Sequence, residues 1–203
     1  MASGEQELEI KLWVRDLEAV RARAASQSTL VQPRTYEINL RFDLPDLSLS
    51  RTKQVLRLRQ DQKVTLTYKG PGSTAGGVQA RREIELTVDH FETARHFLEA
   101  LGYQVQLIYE KYRTTYQYHQ VIVTMDEMPY GGFVELEGPD GESIREACDW
   151  LGLDWEARIL DSYTGLFERI IQDRHLEIRD LVFDNFTQMT EPLAQIGLMP
   201  ADH

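Results

Sequence analysis

A strict alternation of polar and apolar side chains opens the chain. In residues 7–12 the polar positions are Glu7, Glu9 and Lys11, and the positions between them are leucine or isoleucine. Successive side chains of a β-strand point to opposite faces, so this pattern predicts a strand whose apolar face must be covered. Its charged face then meets either bulk water, as on the outside of an antiparallel sheet, or a polar interior.

The same alternation returns along the chain and predicts about eight strands in total. The further strands are 36–43, the two arms of a hairpin over 55–68 that turns at 60–62, 79–87, 103–115, 121–125 and 133–137. From Val105 to Tyr109 the apolar residues share the parity of the cations Lys111 and Arg113. That shared parity requires a β-bulge or a strand that leaves the interior.

Helical periodicity fills the gaps between the strands. The spacing predicts amphipathic helices over 16–25, 89–101 and 142–151, which would cover the aliphatic strand faces. Asp89 is a candidate N-cap of the second helix, and Gly102 is well placed to end it.

Two segments leave alternatives open. Residues 70–77 are rich in glycine and predict a flexible loop, either an ordinary surface connection or a phosphate-binding one. Helical spacing over 160–186 predicts a tail that either covers its own domain or makes a contact between two copies.

These elements predict a fold. An antiparallel sheet of about eight strands closes naturally on itself, and helices on its outside would turn the charged strand faces inward. The predicted class is therefore α+β, with a closed eight-stranded antiparallel β-barrel and with helices packed outside. We expect a barrel domain over residues 1–163 and a C-terminal helical extension over 164–203 that packs on the barrel or at a dimer interface.

Composition narrows the class of protein. The 203 residues are 42% hydrophobic and 27% charged, as in soluble globular proteins, and no run is long or apolar enough to cross a bilayer. The first residues do not predict export, so we expect a cytoplasmic protein. Cys148 is the single cysteine, which excludes an intramolecular disulfide. A net charge of -11 argues against nucleic-acid or anionic-membrane partners.

The charged strand faces carry the candidate chemistry. Arginine and lysine in alternation would neutralise and orient phosphate oxygens, and arginine does so with two parallel hydrogen bonds. The candidate cations for binding a phosphate-bearing polyanion are Lys11, Arg41, Arg57, Arg59, Lys69, Arg81, Lys111 and Arg113, of which Lys11, Arg59 and Lys69 are the candidate catalytic residues.

Paired carboxylates accompany these cations. Magnesium and manganese prefer carboxylate oxygens, and the five scattered histidines show no zinc-ligand spacing. The candidate metal ligands are Glu7, Glu9, Glu83, Glu85, Asp126, Glu135 and Glu137. Two alternatives stay open. The charges could form the internal ion pairs of a purely structural barrel, although buried pairs are costly at such density. They could also form the site of a non-catalytic polyphosphate or nucleotide binder.

At these residues the chain resembles the CYTH superfamily, the triphosphate tunnel metalloenzymes. Residues 7–11 are similar to the ExExK signature of that family. The further similar segments, in family order, are 41–46, 56–59, 66–69, 83–85, 111–113, Asp126 and 132–137. Arg41 and Phe42 stand where relatives often carry an aromatic pair.

The resemblance implies a tunnel that binds a triphosphate through its cations, with one or two divalent cations, Mg2+ or Mn2+, held by the glutamates. The family includes class IV adenylyl cyclases, thiamine triphosphatases and inorganic triphosphatases. Hydrolysis needs a metal-activated water, whereas cyclisation of ATP also needs a nucleobase pocket and an aimed ribose oxygen. We therefore expect a triphosphatase, with adenylyl cyclase as the alternative, a small-molecule triphosphate as the partner, and a monomer or homodimer.

Overall fold

The computed structural model describes residues 6–75, 78–187 and 192–202. Its strands are β1 Gln6–Val14, β2 Thr29–Asp43, β3 Val55–Gln60, β4 Val64–Ala75, β5 Val78–Val88, β6 Gln104–Tyr118, β7 Val121–Met128, β8 Gly131–Gly138 and β9 Arg158–Ile159. Its α-helices are α1 Leu17–Gln27, α2 Ser48–Arg51, α3 Phe91–Ala100, α4 Gly141–Trp150, α5 Tyr163–Arg174 and α6 Pro192–Gln195. Short 3₁₀ helices span Trp155–Ala157 and Phe183–Phe186.

The strands form one antiparallel sheet that closes into a ring. Their order is β5-β4-β3-β2-β6-β7-β8-β1, and a further pairing between β1 and β5 closes it. One edge of β1 pairs with β8. Two strands share the opposite edge of β1. Residues 6–9 pair with β5, whereas Lys11 and Leu12 pair with the short β9. The predicted α+β class with a closed ring of eight strands is confirmed.

The aliphatic strand faces point outward under helices, as predicted. Ile10 and Leu12 of β1 are buried in a core that includes α1 and α4. Helix α1 begins after Asp16, whose carboxylate accepts a hydrogen bond from the backbone N–H of Ala19 and so caps the helix. Leu17 and Val20 are among the residues that α1 buries, which its spacing predicted.

The predicted irregularity in β6 is present. The pairing of β2 with β6 shifts register between Arg41 and Phe42, which pair with Leu107 and Val105. The extra residue reverses the alternation, so that Val105 packs in the outer core under α3 while Tyr109 lines the interior. Lys111 and Arg113 then follow on the inner face.

Two predictions about local structure are wrong. β4 continues through Gly70 to Ala75, because the chain pairs with β5 after a register shift between Lys69 and Gly72; Gly76 and Gly77 lie outside the described residues. Asp89 is not the N-cap of α3: His90 occupies that position and its side chain makes no capping hydrogen bond.

The predicted apolar stripe of α3 is only partly covered. Leu98 is buried against the outer faces of β2 and β3. Phe97 and Leu101 remain 63% and 58% exposed, and Ile84 on the outside of β5 is 43% exposed. The helix therefore covers part of the sheet rather than its full width.

The C-terminal tail packs at one end of the ring. α5 is shorter than the predicted helix and ends at Arg174, and the backbone of the C-cap residue His175 is left-handed. Phe167 and Ile170 of α5 are buried together with Trp13 and Phe133. The division of the chain at residue 163 stays a prediction. None of the helices in the described ranges is long and apolar enough to span a membrane.

Residues 201 and 202 form backbone and side-chain hydrogen bonds with the segment at the end of β1. The backbone N–H of Ala201 donates a 2.8 Å hydrogen bond to the carbonyl of Trp13. The carboxylate of Asp202 accepts hydrogen bonds from the backbone N–H groups of Arg15 and Asp16. These bonds hold residues 201–202 beside the end of β1.

Candidate active site inside the ring

A charged cavity of about 1610 Å³ occupies the interior of the ring. A smaller cavity of about 440 Å³ adjoins it and shares Arg59, Arg113 and Glu137 among its lining residues. The predicted site residues that line the main cavity are Glu9, Lys11, Arg41, Arg57, Arg59, Lys69, Arg81, Glu83, Glu85, Lys111, Arg113, Glu135 and Glu137. The side chain of Glu7 lies outside the described residues, and Asp126 is fully buried behind the cavity wall.

Several cations of the interior are paired with carboxylates of the neighbouring strand. Lys11 Nζ lies 2.9 Å from Glu135 Oε1, and Lys69 Nζ lies 2.7 Å from Glu83 Oε2. Burial alone would lower the pKa of Lys11, but the carboxylates of Glu135 and Glu9 outweigh it and raise that pKa. The ammonium therefore stays charged inside the ring.

The two arginines of β3 are held less tightly. Arg57 donates to the Oγ1 of Thr67 at 3.2 Å and to the hydroxyl of Tyr109 at 3.4 Å. Arg59 lies 3.4 Å from Asp61 and 3.7 Å from Glu85. Charge-assisted hydrogen bonds to phosphate are shorter, at about 2.7–2.9 Å, so an anion in the cavity would bind these guanidinium groups more strongly.

A buried carboxylate anchors the cations of β6. Asp126 Oδ2 accepts a hydrogen bond from Lys111 Nζ at 2.9 Å, and both of its oxygens accept from Arg113. Arg113 also reaches Glu135 at 2.5 Å. Burial opposes charge on Arg113, but the neighbouring Asp126 and Glu135 hold its pKa well above the ordinary value.

Glu37 is a member of this network that the sequence reasoning missed. It faces Lys111 across β2 and β6 and is buried 3.6 Å from the Lys111 ammonium. Burial alone would raise the pKa of Glu37, but Lys111 and Arg113 lower it from 4.5 to about 2. Its position on the polar face of 36–43 was visible in the sequence, whereas its partner on β6 was not.

The remaining cations contact backbone and hydroxyl oxygens. Arg41 donates to Thr164 Oγ1 at 2.5 Å. Arg81 donates to the backbone carbonyls of Gly70 and Lys53, at 2.5 and 2.6 Å. The cations thus lie on most walls of the ring. Their partners lie on segments of the chain other than their own strand.

Carboxylates gather on the wall formed by β1, β8 and β5. Burial and the neighbouring carboxylate of Glu9 raise the pKa of Glu137, Glu83 contributes in the same direction, and Lys69 opposes the shift. Carboxyl groups that repel one another in this way suit a divalent cation, which would relieve the repulsion. Within the described ranges no three His, Cys, Asp or Glu side chains converge as a preassembled metal centre.

Helix α5 also contributes to the interior, which sequence reasoning did not foresee. The Tyr163 hydroxyl donates to Asp126 Oδ2 at 2.8 Å, and Lys11 Nζ lies 4.3 Å from the centre of the Tyr163 ring. Burial and Asp126 raise the pKa of Tyr163 well above its ordinary value, so the phenol remains a donor. The sequence pattern indicates only that Tyr163 belongs to an apolar helical face.

Comparison with protein families identifies the matched part of the chain. A family model described as CYTH domain matches residues 5–152. Comparison of the sequence with curated proteins gives no match. The matched residues include all the predicted site residues and end before α5.

Solved structures share the fold. A candidate adenylate cyclase from Vibrio parahaemolyticus is 20% identical with a TM-score of 0.72, and the match covers 82% of this chain and 99% of that one. A protein of Pyrococcus horikoshii OT3 is 24% identical with a TM-score of 0.65, covering 80% and 98%. A candidate adenylyl cyclase from Hippeastrum, described as having a dominant triphosphatase activity, is 17% identical with a TM-score of 0.63, covering 81% and 95%.

Proposed function

The chain belongs to the CYTH family, and on that premise we propose that it is a divalent-metal-dependent hydrolase of a small triphosphate. Members of this family are enzymes, generally metal-dependent, and include triphosphatases and class IV adenylyl cyclases. The candidate substrates are inorganic tripolyphosphate, thiamine triphosphate or a similar compound.

The cations on the inner face of the ring carry the proposal. All eight predicted lysine and arginine side chains line one cavity, and they come from six different strands. A triphosphate carries several negative charges along a short chain, which cations arranged around it from several directions can neutralise and orient. In the proposed role, Lys11, Arg59 and Lys69 bind the reacting phosphate, and the remaining cations hold the rest of the chain.

The carboxylates of β1, β5 and β8 are the candidate metal ligands. Glu9, Glu83 and Glu137 would hold the metal, which would relieve the repulsion that raises the pKa of Glu137 and would compete with Lys69 for Glu83. Bound Mg2+ or Mn2+ would supply charge neutralisation on the phosphates and an activated water. Glu85 also lines the cavity, whereas Glu135 is already shared by Lys11 and Arg113.

Class IV adenylyl cyclase is the second candidate. The cavity of about 1610 Å³ exceeds the roughly 300–1,000 Å³ typical of small-molecule sites, which leaves room for a nucleoside beside the phosphates. The Vibrio relative is described as a candidate adenylate cyclase. Cyclisation additionally requires the ribose 3′-oxygen to be aimed at the α-phosphate, and hydrolysis leads because it requires fewer positioned groups.

One assay separates these reactions. Purified protein is incubated with tripolyphosphate, thiamine triphosphate or ATP, each with magnesium, manganese or a chelator, and phosphate, pyrophosphate and cyclic AMP are measured together. We expect metal-dependent release of phosphate without cyclic AMP. Cyclic AMP with stoichiometric pyrophosphate would replace hydrolysis by cyclisation, and binding without turnover of any of the three substrates would favour a non-catalytic binder.

A further inference from the structure

Tyr163 joins the C-terminal tail to the cations of the ring. It is the first residue of α5, directly after the N-cap Ser162, and its side chain is buried. Its backbone carbonyl accepts a 2.8 Å hydrogen bond from the hydroxyl of Tyr130, and its ring packs edge-on against Phe133. The start of α5 is therefore fixed to the loop before β8 and to β8 itself, with the phenol pointing inside the ring.

The Tyr163 ring lies against two ammonium groups. Lys11 Nζ is 4.3 Å and Lys111 Nζ is 5.4 Å from the ring centre. Cation–π attraction acts within about 6 Å and is strongest for desolvated cations, and both lysines are buried. A neutral aromatic face attracts each ammonium without placing a further negative charge beside it, so it holds the lysines without adding to the compensation by Glu135 and Asp126.

The Tyr163 hydroxyl acts on Lys111 through a carboxylate. It donates to Asp126 Oδ2, the oxygen that also accepts from Lys111. Three groups therefore converge on Asp126: the phenol, the Lys111 ammonium and the Arg113 guanidinium. A carboxylate with its oxygens occupied in this way suits the fixing of cations better than the binding of a metal.

We infer that Tyr163 is a positioning residue that fixes Lys11 and Lys111 for an anionic substrate through its ring and through Asp126. The inference rests on the proposed function for the identity of that anion, a triphosphate. It also gives the tail a role in the site, because Tyr163 lies beyond the residues that match the family. Removing the ring is expected to leave the two lysines charged but mobile.

The test compares Tyr163→Leu and Tyr163→Phe with Phe167→Leu. Phe167 lies one turn further along α5, is also buried, and packs its ring against Phe186, so it controls for the cost of losing a buried ring. Binding of tripolyphosphate is measured by calorimetry with divalent metals chelated. We expect Tyr163→Leu to bind about tenfold more weakly, Tyr163→Phe to lose less because the ring remains, and Phe167→Leu to stay within about twofold of the parent.

A second measurement does not depend on the substrate. Carbon relaxation of the lysine ε-methylene groups in the ligand-free protein reports how rigidly Lys11 and Lys111 are held. We expect their order parameters to fall in Tyr163→Leu and to be unchanged in Phe167→Leu. If Tyr163→Leu does not fold, Tyr163→Met replaces it, because methionine fills irregular space without an aromatic face.

The two measurements distinguish a failure of the inference about Tyr163 from a failure of the proposed function. Unchanged order of both lysines in a folded Tyr163→Leu protein would overturn the inference, and so would unchanged affinity where the parent binds tripolyphosphate. A parent protein that does not bind tripolyphosphate would refute the proposed substrate, and the order parameters alone would then decide the role of Tyr163.

Discussion

Glu9 and Glu137 are direct cross-strand partners on β1 and β8. Both side chains line the main cavity, and the repulsion between them contributes to the raised pKa of Glu137. Like charges directly opposite one another destabilise a sheet unless something binds between them. The pair is therefore better suited to binding a ligand than to stabilising the sheet.

Glu9→Gln is expected to abolish metal-dependent turnover. The amide keeps the shape of the side chain but removes one charged oxygen ligand, so the carboxylate wall should bind the metal more weakly. Turnover of tripolyphosphate is measured across a magnesium titration, with Glu146→Gln, an exposed change on α4, as the control. Full turnover of Glu9→Gln at the parent's magnesium requirement would refute the metal assignment.

Arg59→Ala is expected to weaken tripolyphosphate binding by about 10- to 100-fold, since hydrogen bonds between charged groups contribute about 1.5–3 kcal/mol each. Among the described residues, the ion pairs of Arg59 with Asp61 and Glu85 are long, at 3.4 and 3.7 Å, so the loss of Arg59 should cost little stability. Affinity by calorimetry and the thermal midpoint are measured together.

The control for this change is Arg95→Ala. Arg95 lies on α3 and pairs with Glu99 of the same helix. Its removal should leave affinity unchanged. If Arg59→Ala stabilises the protein and leaves affinity intact, the inner charges are a structural ion-pair network instead.

Asp126→Asn and Glu137→Gln should separate cation positioning from metal binding. Asp126 fixes Lys111 and Arg113, so its amide variant should bind tripolyphosphate more weakly even with metals chelated. Glu137→Gln should weaken binding only in the presence of magnesium, because it removes a carboxylate that would hold the metal. With the metal chelated, it removes a negative charge that repels its neighbours and should not weaken the binding of an anion. Equal loss by both variants under chelation would contradict this division of roles.

The stability of the protein should depend on Glu37 at acid pH. Its pKa is lower in the folded state, about 2 against an ordinary 4.5, so its stabilising contribution is complete above about pH 5 and is lost as the pH falls towards 2. Between pH 6 and pH 3 the loss is about 2 kcal/mol.

Comparison with Glu37→Gln isolates this contribution. Denaturant unfolding of both proteins is measured at several pH values. The free energy of unfolding of the parent should exceed that of Glu37→Gln at pH 6, and this difference should shrink towards pH 3. A difference that stays constant across this range would show that the charge of Glu37 makes no contribution.

Alternation sufficed to predict which side chains face inward, because the ring separates a charged interior from an aliphatic exterior. Lys11 and Ile10 are neighbours in sequence but lie in these two different environments. The alternation within one short segment is therefore enough to assign each side chain to the charged interior or to the aliphatic exterior. The bulge in β6 was predictable for the same reason. Val105 and Tyr109 are apolar but have the same parity as Lys111 and Arg113, so regular alternation would have placed all four side chains on one face.

The sequence pattern did not predict the contacts between segments that are distant in the chain. Glu37 meets Lys111 because of the register between β2 and β6, which the sequence of neither strand contains. Tyr163 belongs to an amphipathic helix, where an aromatic residue predicts only burial. The strand through Gly70 was missed because glycine is disfavoured in isolated strands, whereas pairing with β5 supplies the missing stabilisation.

The closure of the ring at β1 has a kinetic consequence. β1 precedes the remaining strands in the chain, yet one of its edges pairs with β8 and the opposite edge with β5 and β9. During synthesis it must wait for partners made much later, and contacts between residues so far apart in sequence slow folding. A nascent chain that has not yet reached β8 leaves the free edges of β1 and β7 open to pairing with neighbouring chains.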